Sequence, residues 1–248
     1  MRDNYAADVG DFGKLILLRR LSHTSSQYRL GVNWYRTTRT EDASSDGGHV
    51  AYLHSQPDYC KCDPPLYEAL QKIASKPRSV QALEQSGIFP PGSLFYSCSV
   101  PFGSTDLAQR VEDREQWFEG SIRQLQKADV IFIDPDNGVQ TQRITKAQTR
   151  AIKYAFHDEI RRYCDASKIV IVYNHQDRNP SDRRINKFIA LQNELDNRIQ
   201  LRVLRFKRVS VRYYLVLYRP VSISQVNQLF ASLVAAPYDF LFEEVRLH

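Results

Sequence analysis

The sequence predicts an α/β protein, a three-layer Rossmann-like domain over residues 1–248 around a mostly parallel sheet that ends in a C-terminal antiparallel hairpin. Three observations predict it. Short, wholly apolar runs such as "VIFI" (130–133) and "IVIVY" (169–173) are of the kind that parallel sheets bury on both faces. They alternate with amphipathic segments long enough to serve as crossover helices. Two β-rich runs near the end, "IQLRVLRFKR" and "VRYYLVLYRP", are too close together for a helix and pair as a hairpin.

Each element follows in order. Residues 5–21 begin with small and acidic residues and continue as a helix, with Asp11 as its N-cap and Leu15, Leu18 and Leu21 on one face. "LGVNWY" (30–35) is a buried strand that opens into the polar loop "RTTRTEDASSDGGH". Residues 64–75 and 78–87 are short helices with a Pro start and a Gly stop. A strand at 93–100, a helix at 114–128 and the strand at 130–134 follow. Residues 145–164 are expected to form one amphipathic helix, 168–175 a buried strand and 182–195 a further helix. No linker, repeat or low-complexity stretch divides the chain.

Hydrophobic residues make up 42% of the 248 and charged residues 25%, a globular composition that excludes a mainly disordered chain. The longest apolar runs are far too short to span a bilayer, so no membrane partner is expected. Asp3, Asp8 and Asp11 stand where a signal peptide needs basic and then apolar residues, which predicts a cytoplasmic protein. The four cysteines lack zinc spacing and read as free, buried thiols. The net charge is +6, and ten Lys or Arg face two acids between Arg183 and Arg219. That imbalance suits a polyanion, since neutralised phosphates release counterions, and it points to nucleic acid, DNA first. Arg183, Arg184, Arg202, Arg205, Lys207, Arg208 and Arg212 are the expected contacts. A strand edge guarded by basic residues would look similar.

The chemistry is expected at the carboxyl ends of the parallel strands, where such sheets build their sites. The strand 130–133 stops at Asp-Pro-Asp-Asn-Gly and delivers Asp134, Asp136 and Asn137; the strand 168–175 delivers His175. Neighbouring carboxylates resist double ionisation, so one of a pair can work as an acid or base near neutral pH. An Asx-turn closed by Gly138 would use the same residues for capping alone. Asn33, Asp46 and His49 belong to the same rim. "DVGDFGK" adds Asp8, Asp11 and Lys14 where Gly10 and Gly13 permit close backbone approach. No metal-binding spacing appears, and no metal is expected. Trp34, Tyr35, Tyr173 and Tyr213 are candidate stacking partners for a base.

Strand order together with "ADVGDFGK", "IDPDNG" and "IVIVYNH" resembles the ribosomal-RNA adenine methyltransferases, class I enzymes with Asp-Pro-Pro-Tyr where this chain has Asp134-Pro135-Asp136-Asn137. The resemblance implies S-adenosylmethionine as cofactor. The chain departs from that pattern after the first strand, where "NWYRTTRTED" holds no glycine to cradle it. A looser resemblance, in "DPDNG" and "HQDRNPS", is to the uracil-DNA glycosylase superfamily, and implies a water-positioning Asp and a base-binding His175. The leading expectation is therefore a cofactor-free hydrolase acting on a flipped base, a DNA glycosylase of the kind that would serve antiviral defence against modified phage DNA. The alternatives are a methyltransferase of rRNA or DNA, a non-catalytic nucleic-acid-binding module and a metal-dependent nuclease.

Overall fold

The computed structural model describes residues 1–25, 28–37, 48–176, 181–209 and 211–247. The chain enters through a 3-10 turn at Asp3–Tyr5, followed by α1 (Val9–Thr24) and β1 (Leu30–Asn33). Four short helices come next: α2 (Tyr52–Ser55), α3 (Pro57–Cys62), α4 (Pro64–Ala74) and α5 (Val80–Gln85). Then come β2 (Leu94–Tyr96), α6 (Leu107–Leu125), β3 (Val130–Ile133), β4 (Gly138–Val139), a 3-10 helix (Thr149–Lys153) and β5 (Tyr154–Ala155). The remainder is α7 (His157–Ala166), β6 (Ile169–His175), α8 (Ser181–Glu194), β7 (Gln200–Phe206), β8 (Arg212–Tyr218), a 3-10 turn at Pro220–Ser222, α9 (Ile223–Leu233) and β9 (Phe242–Val245).

The fold is the α/β architecture expected. A seven-stranded sheet runs β2-β1-β3-β6-β8-β7-β9; the first four strands are parallel, β8 runs antiparallel to both β6 and β7, and β9 antiparallel to β7. Strand pleating assigns alternate residues to two cores. Phe132 and Ile171 meet α1, α4 and α9 on one face, whereas Ile131, Ile133, Val170 and Val172 meet α6, α7 and α8 on the other. The register Asn33↔Ile133↔Val172 sets the carboxyl ends of β1, β3 and β6 level, so the residues just beyond them share one rim.

Four expectations are corrected. Residues 145–164 are not one helix. A 3-10 helix and β5 precede α7, because Arg114 takes the carbonyls of Ala151 (3.0 Å) and Tyr154 (2.7 Å) that a continuous helix would need for itself. The N-cap of α1 is Asp8, which accepts from Gly10 and Asp11 N–H, and Asp11 turns inward instead. The hairpin is not the end of the sheet: β9 adds outside β7, its Glu243 and Glu244 neutralised by Arg205 and Arg202. The cysteines are free, but Cys98 is exposed and Cys60 half-buried. Among the described residues no helix is long and apolar enough to cross a membrane.

Candidate functional site

A cavity of about 220 Å³ opens on the rim where β3 and β6 end. Its floor is Lys14, a residue of α1 with a side chain 5% exposed. The ammonium lies 2.8 Å from Asp11 Oδ1 and 2.6 Å from Asp134 Oδ2, and over the Trp34 and Tyr173 rings at 5.7 and 5.6 Å. Burial disfavours its charge, but Asp11 and Asp134 outweigh that and hold Lys14 above its ordinary pKa. Burial pushes Asp11 up to about 6 against the pull of Lys14, with the nearby Asp8 and Asp134 charges adding to the rise. The Asp11–Lys14–Asp134 cluster thus carries one net negative charge when Asp11 is ionised and none when it is protonated.

A second chain of contacts forms a wall. Arg212, at the start of β8, donates from Nη2 to Asp8 Oδ2 (3.4 Å) and from Nε to the Tyr173 hydroxyl (3.2 Å); that hydroxyl stands 3.3 Å from His175 Nδ1. A Cβ on Gly10 would lie 2.3 Å from the Arg212 guanidinium, so a larger residue there would displace that side chain from the wall. Burial drives Tyr173 up to about 12, and it stays a neutral phenol.

The Asp-Pro turn forms the third side. Asp136 Oδ1 stands 3.0 Å from the Met1 amino group. Burial alone would raise Asp136; that ammonium, with Arg2 and Lys153, overrides it and holds the carboxyl below its usual range. Asn137 N–H donates to Lys153 C=O (2.8 Å), and Lys153 also lines the cavity. Behind the turn, buried Asn174 accepts from Val139 N–H (3.1 Å) and from Lys187 (3.0 Å). Gly138 has φ +96°, and a Cβ there would meet Asn174 Oδ1 at 2.2 Å.

Of the expected residues, the cavity gathers Asp8, Asp11, Lys14, His49, Asp134, Asp136, Asn137 and His175. Arg212, expected on a DNA track, also lines it. Asn33 does not: it is buried, donates to Tyr163 OH and accepts from Tyr35 N–H. Asp46 lies outside the described residues. On α8, Arg183 is exposed and Arg184 is buried against the Tyr213 hydroxyl at 3.0 Å. Arg202 pairs with Glu244 and Arg205 with Glu243, both at 2.7 Å. Lys207 and Arg208 donate to the carbonyls of Asp239 and Phe240. Sequence reasoning missed Arg2, Tyr5 and Lys153. Lys153 was hidden by the helix expected over it, and Arg2 and Tyr5 had no pattern to mark them.

Of the turn after β1, where the methyltransferase resemblance implies a cofactor cradle, residues 38–47 lie outside the described residues. Trp34 and Tyr35 are both wholly buried; Trp34 Nε1 donates to Glu84 (2.7 Å) and Tyr35 OH to Glu159 (3.2 Å). Those two side chains belong to the core.

No protein-family model matches the chain, and no curated protein matches it. Among solved structures it is similar to the crystal structure of protein LPL1258 from Legionella pneumophila strain Philadelphia 1, labelled with the family model DUF519. The TM-score is 0.48 at 11% identity, over 97% of this chain and 96% of that one.

Proposed function

We propose that the protein is a hydrolase that cuts the glycosidic bond of a single base, extruded from DNA into the rim cavity. One observation carries the reading: a small polar cavity in which each carboxylate already faces a cation, Asp134 and Asp11 at Lys14, Asp8 at Arg212, Asp136 at the Met1 amino group. Such near-neutral lining suits a neutral polar ring rather than a phosphate. At about 220 Å³ the cavity is smaller than the roughly 300–1,000 Å³ of sites for drug-sized ligands, which matches one base. Extrusion from the stack is the general route by which proteins reach a base, at a cost of a few kcal/mol.

In this reading Asp134 holds the attacking water. Its oxygen bonds to the sugar C1′, the C1′–N bond breaks, and the electron pair leaves with the base. One water proton passes to the carboxylate, and the base nitrogen is protonated from solvent. The net negative charge of Asp11–Lys14–Asp134 opposes the positive charge that builds on the sugar, as carboxylates do in sugar hydrolysis generally.

The decisive assay incubates the protein with DNA carrying modified bases and measures free base by mass spectrometry and alkali-labile sites by electrophoresis. Release by the wild type and its loss in Asp134→Asn are expected. No release from any substrate, with the protein folded, overturns the proposal. The Asp-Pro turn at the end of β3 also favours a second reading, the methyltransferase, although the lack of glycine in residues 33–42 counts against it. Micromolar S-adenosylmethionine binding by calorimetry would reverse that preference.

A further inference from the structure

We propose that the segment between Asn137 and His157 is a basic ledge that holds the phosphate backbone beside the cavity, with Arg143, Arg150 and Lys153 as its contacts. The proposal rests on reading the cavity as a site for a DNA base, and it names the surface that polymer would lie on.

The segment carries four Lys or Arg and no acid. It leaves the carboxyl end of β3 and returns to the same place, where Lys153 joins Asp134 and Asp136 in the cavity lining. Lys146 is engaged with Asp158. Arg143 and Arg150 are exposed, and their side chains engage no partner among the described residues. The hairpin differs, because Glu243 and Glu244 already face Arg205 and Arg202.

The ledge is also held from behind. Arg110 donates to Ala147 C=O (3.0 Å), and Arg114 to the carbonyls of Ala151 (3.0 Å) and Tyr154 (2.7 Å). Three carbonyls fixed by two arginines of α6 make a preorganised strip, which lowers the ordering cost of binding. Arg150 and Lys153 are three residues apart in the 3-10 helix, where such side chains eclipse one another about 6 Å apart along the axis. A strand that delivers its base past Lys153 therefore passes Arg150 next.

The test measures binding of a labelled duplex across a salt series, with Asp134→Asn in every protein to prevent turnover. Arg143→Ala/Arg150→Ala is expected to flatten the log–log salt slope by about 1.8, two contacts at about 0.9 each. Such a change weakens binding about 60-fold at 0.1 M salt relative to a 1 M reference. Arg202→Ala/Arg205→Ala is expected to keep the parent slope. An unchanged slope in the ledge variant overturns the proposal. So does a loss confined to the hairpin variant, or a ledge-dependent affinity for phosphatidylserine vesicles equal to that for DNA. If the Asp134→Asn parent binds no DNA at any salt, the DNA reading of the cavity fails; binding that ignores the ledge sinks the ledge alone.

Discussion

Replacing Lys14 by Met keeps the length of the side chain and its packing on Trp34 and Tyr173, but it removes the one ammonium between two buried carboxylates. Asp11 and Asp134, 2.8 and 2.6 Å from that ammonium, are left buried without it. Breaking a buried pair by deleting one partner costs about 3–5 kcal/mol. For a chain of this size that is a fall in Tm of about 6–20 °C, at 2–4 °C per kcal/mol. The cost must also depend on pH, because a stranded carboxylate can escape its charge by taking up a proton. In the wild type Asp11 sits at about 6, above the ordinary 3.8, so its native form binds the extra proton only in mild acid. Its contribution is fully present below the unfolded value and is lost as pH rises through about 6; above pH 7 it adds no further slope. In Lys14→Met the native state is expected to keep that proton through neutrality, so stability keeps falling by about 1.4 kcal/mol per pH unit up to pH 8. Urea unfolding followed by circular dichroism between pH 5.5 and 8 measures both effects. A variant within 1 kcal/mol of the wild type, with a parallel pH profile, would refute the view that Lys14 neutralises the site.

Two further outcomes follow from the same contacts. Base release should fall as pH drops through about 6, where protonation of Asp11 takes the net charge of its cluster to zero; Asp11→Asn should lose that acid limb and turn over at every pH with the low rate the wild type shows in acid, read from pH–rate profiles of kcat. Arg114→Met leaves Glu159, wholly buried and 2.6 Å from the Arg114 Nε, with only Lys146 at 4.0 Å, and should cost about 3–5 kcal/mol, whereas Arg114→Met/Glu159→Leu should recover part of it, both by denaturant titration.

Much of this architecture is legible in the sequence because it is a matter of period and burial. "VIFI" and "IVIVYNH" have to be strands covered on both faces, and "VRYYLVLY" has to pair with "IQLRVLRF", because no other arrangement hides so many consecutive apolar residues. Placing Asp134, Asp136 and His175 on one rim follows from the same reasoning, since parallel strands end on one side. Eight of the ten residues expected for chemistry or substrate binding accordingly meet in the cavity, with Asn33 turned into the core and Asp46 outside the described residues.

Tertiary structure decided what local pattern could not carry. The stretch 145–164 has helical periodicity, yet Arg114, more than thirty residues upstream, draws away the carbonyls a helix would use, and the freed segment becomes the cavity wall that presents Lys153. Strand β9 has two adjacent glutamates at its centre; Arg205 on β7 stands opposite Glu243 and Arg202 reaches Glu244 diagonally, so both charges are met where the strand pairs. The sequence marks Lys14 as a site candidate beside Asp8 and Asp11, but only the fold sets Asp134, 120 residues away, against it. Periodicity records which face of an element is apolar. It holds no record of which distant charge that face will meet, because that partner is chosen by packing and is absent from any short window of the chain.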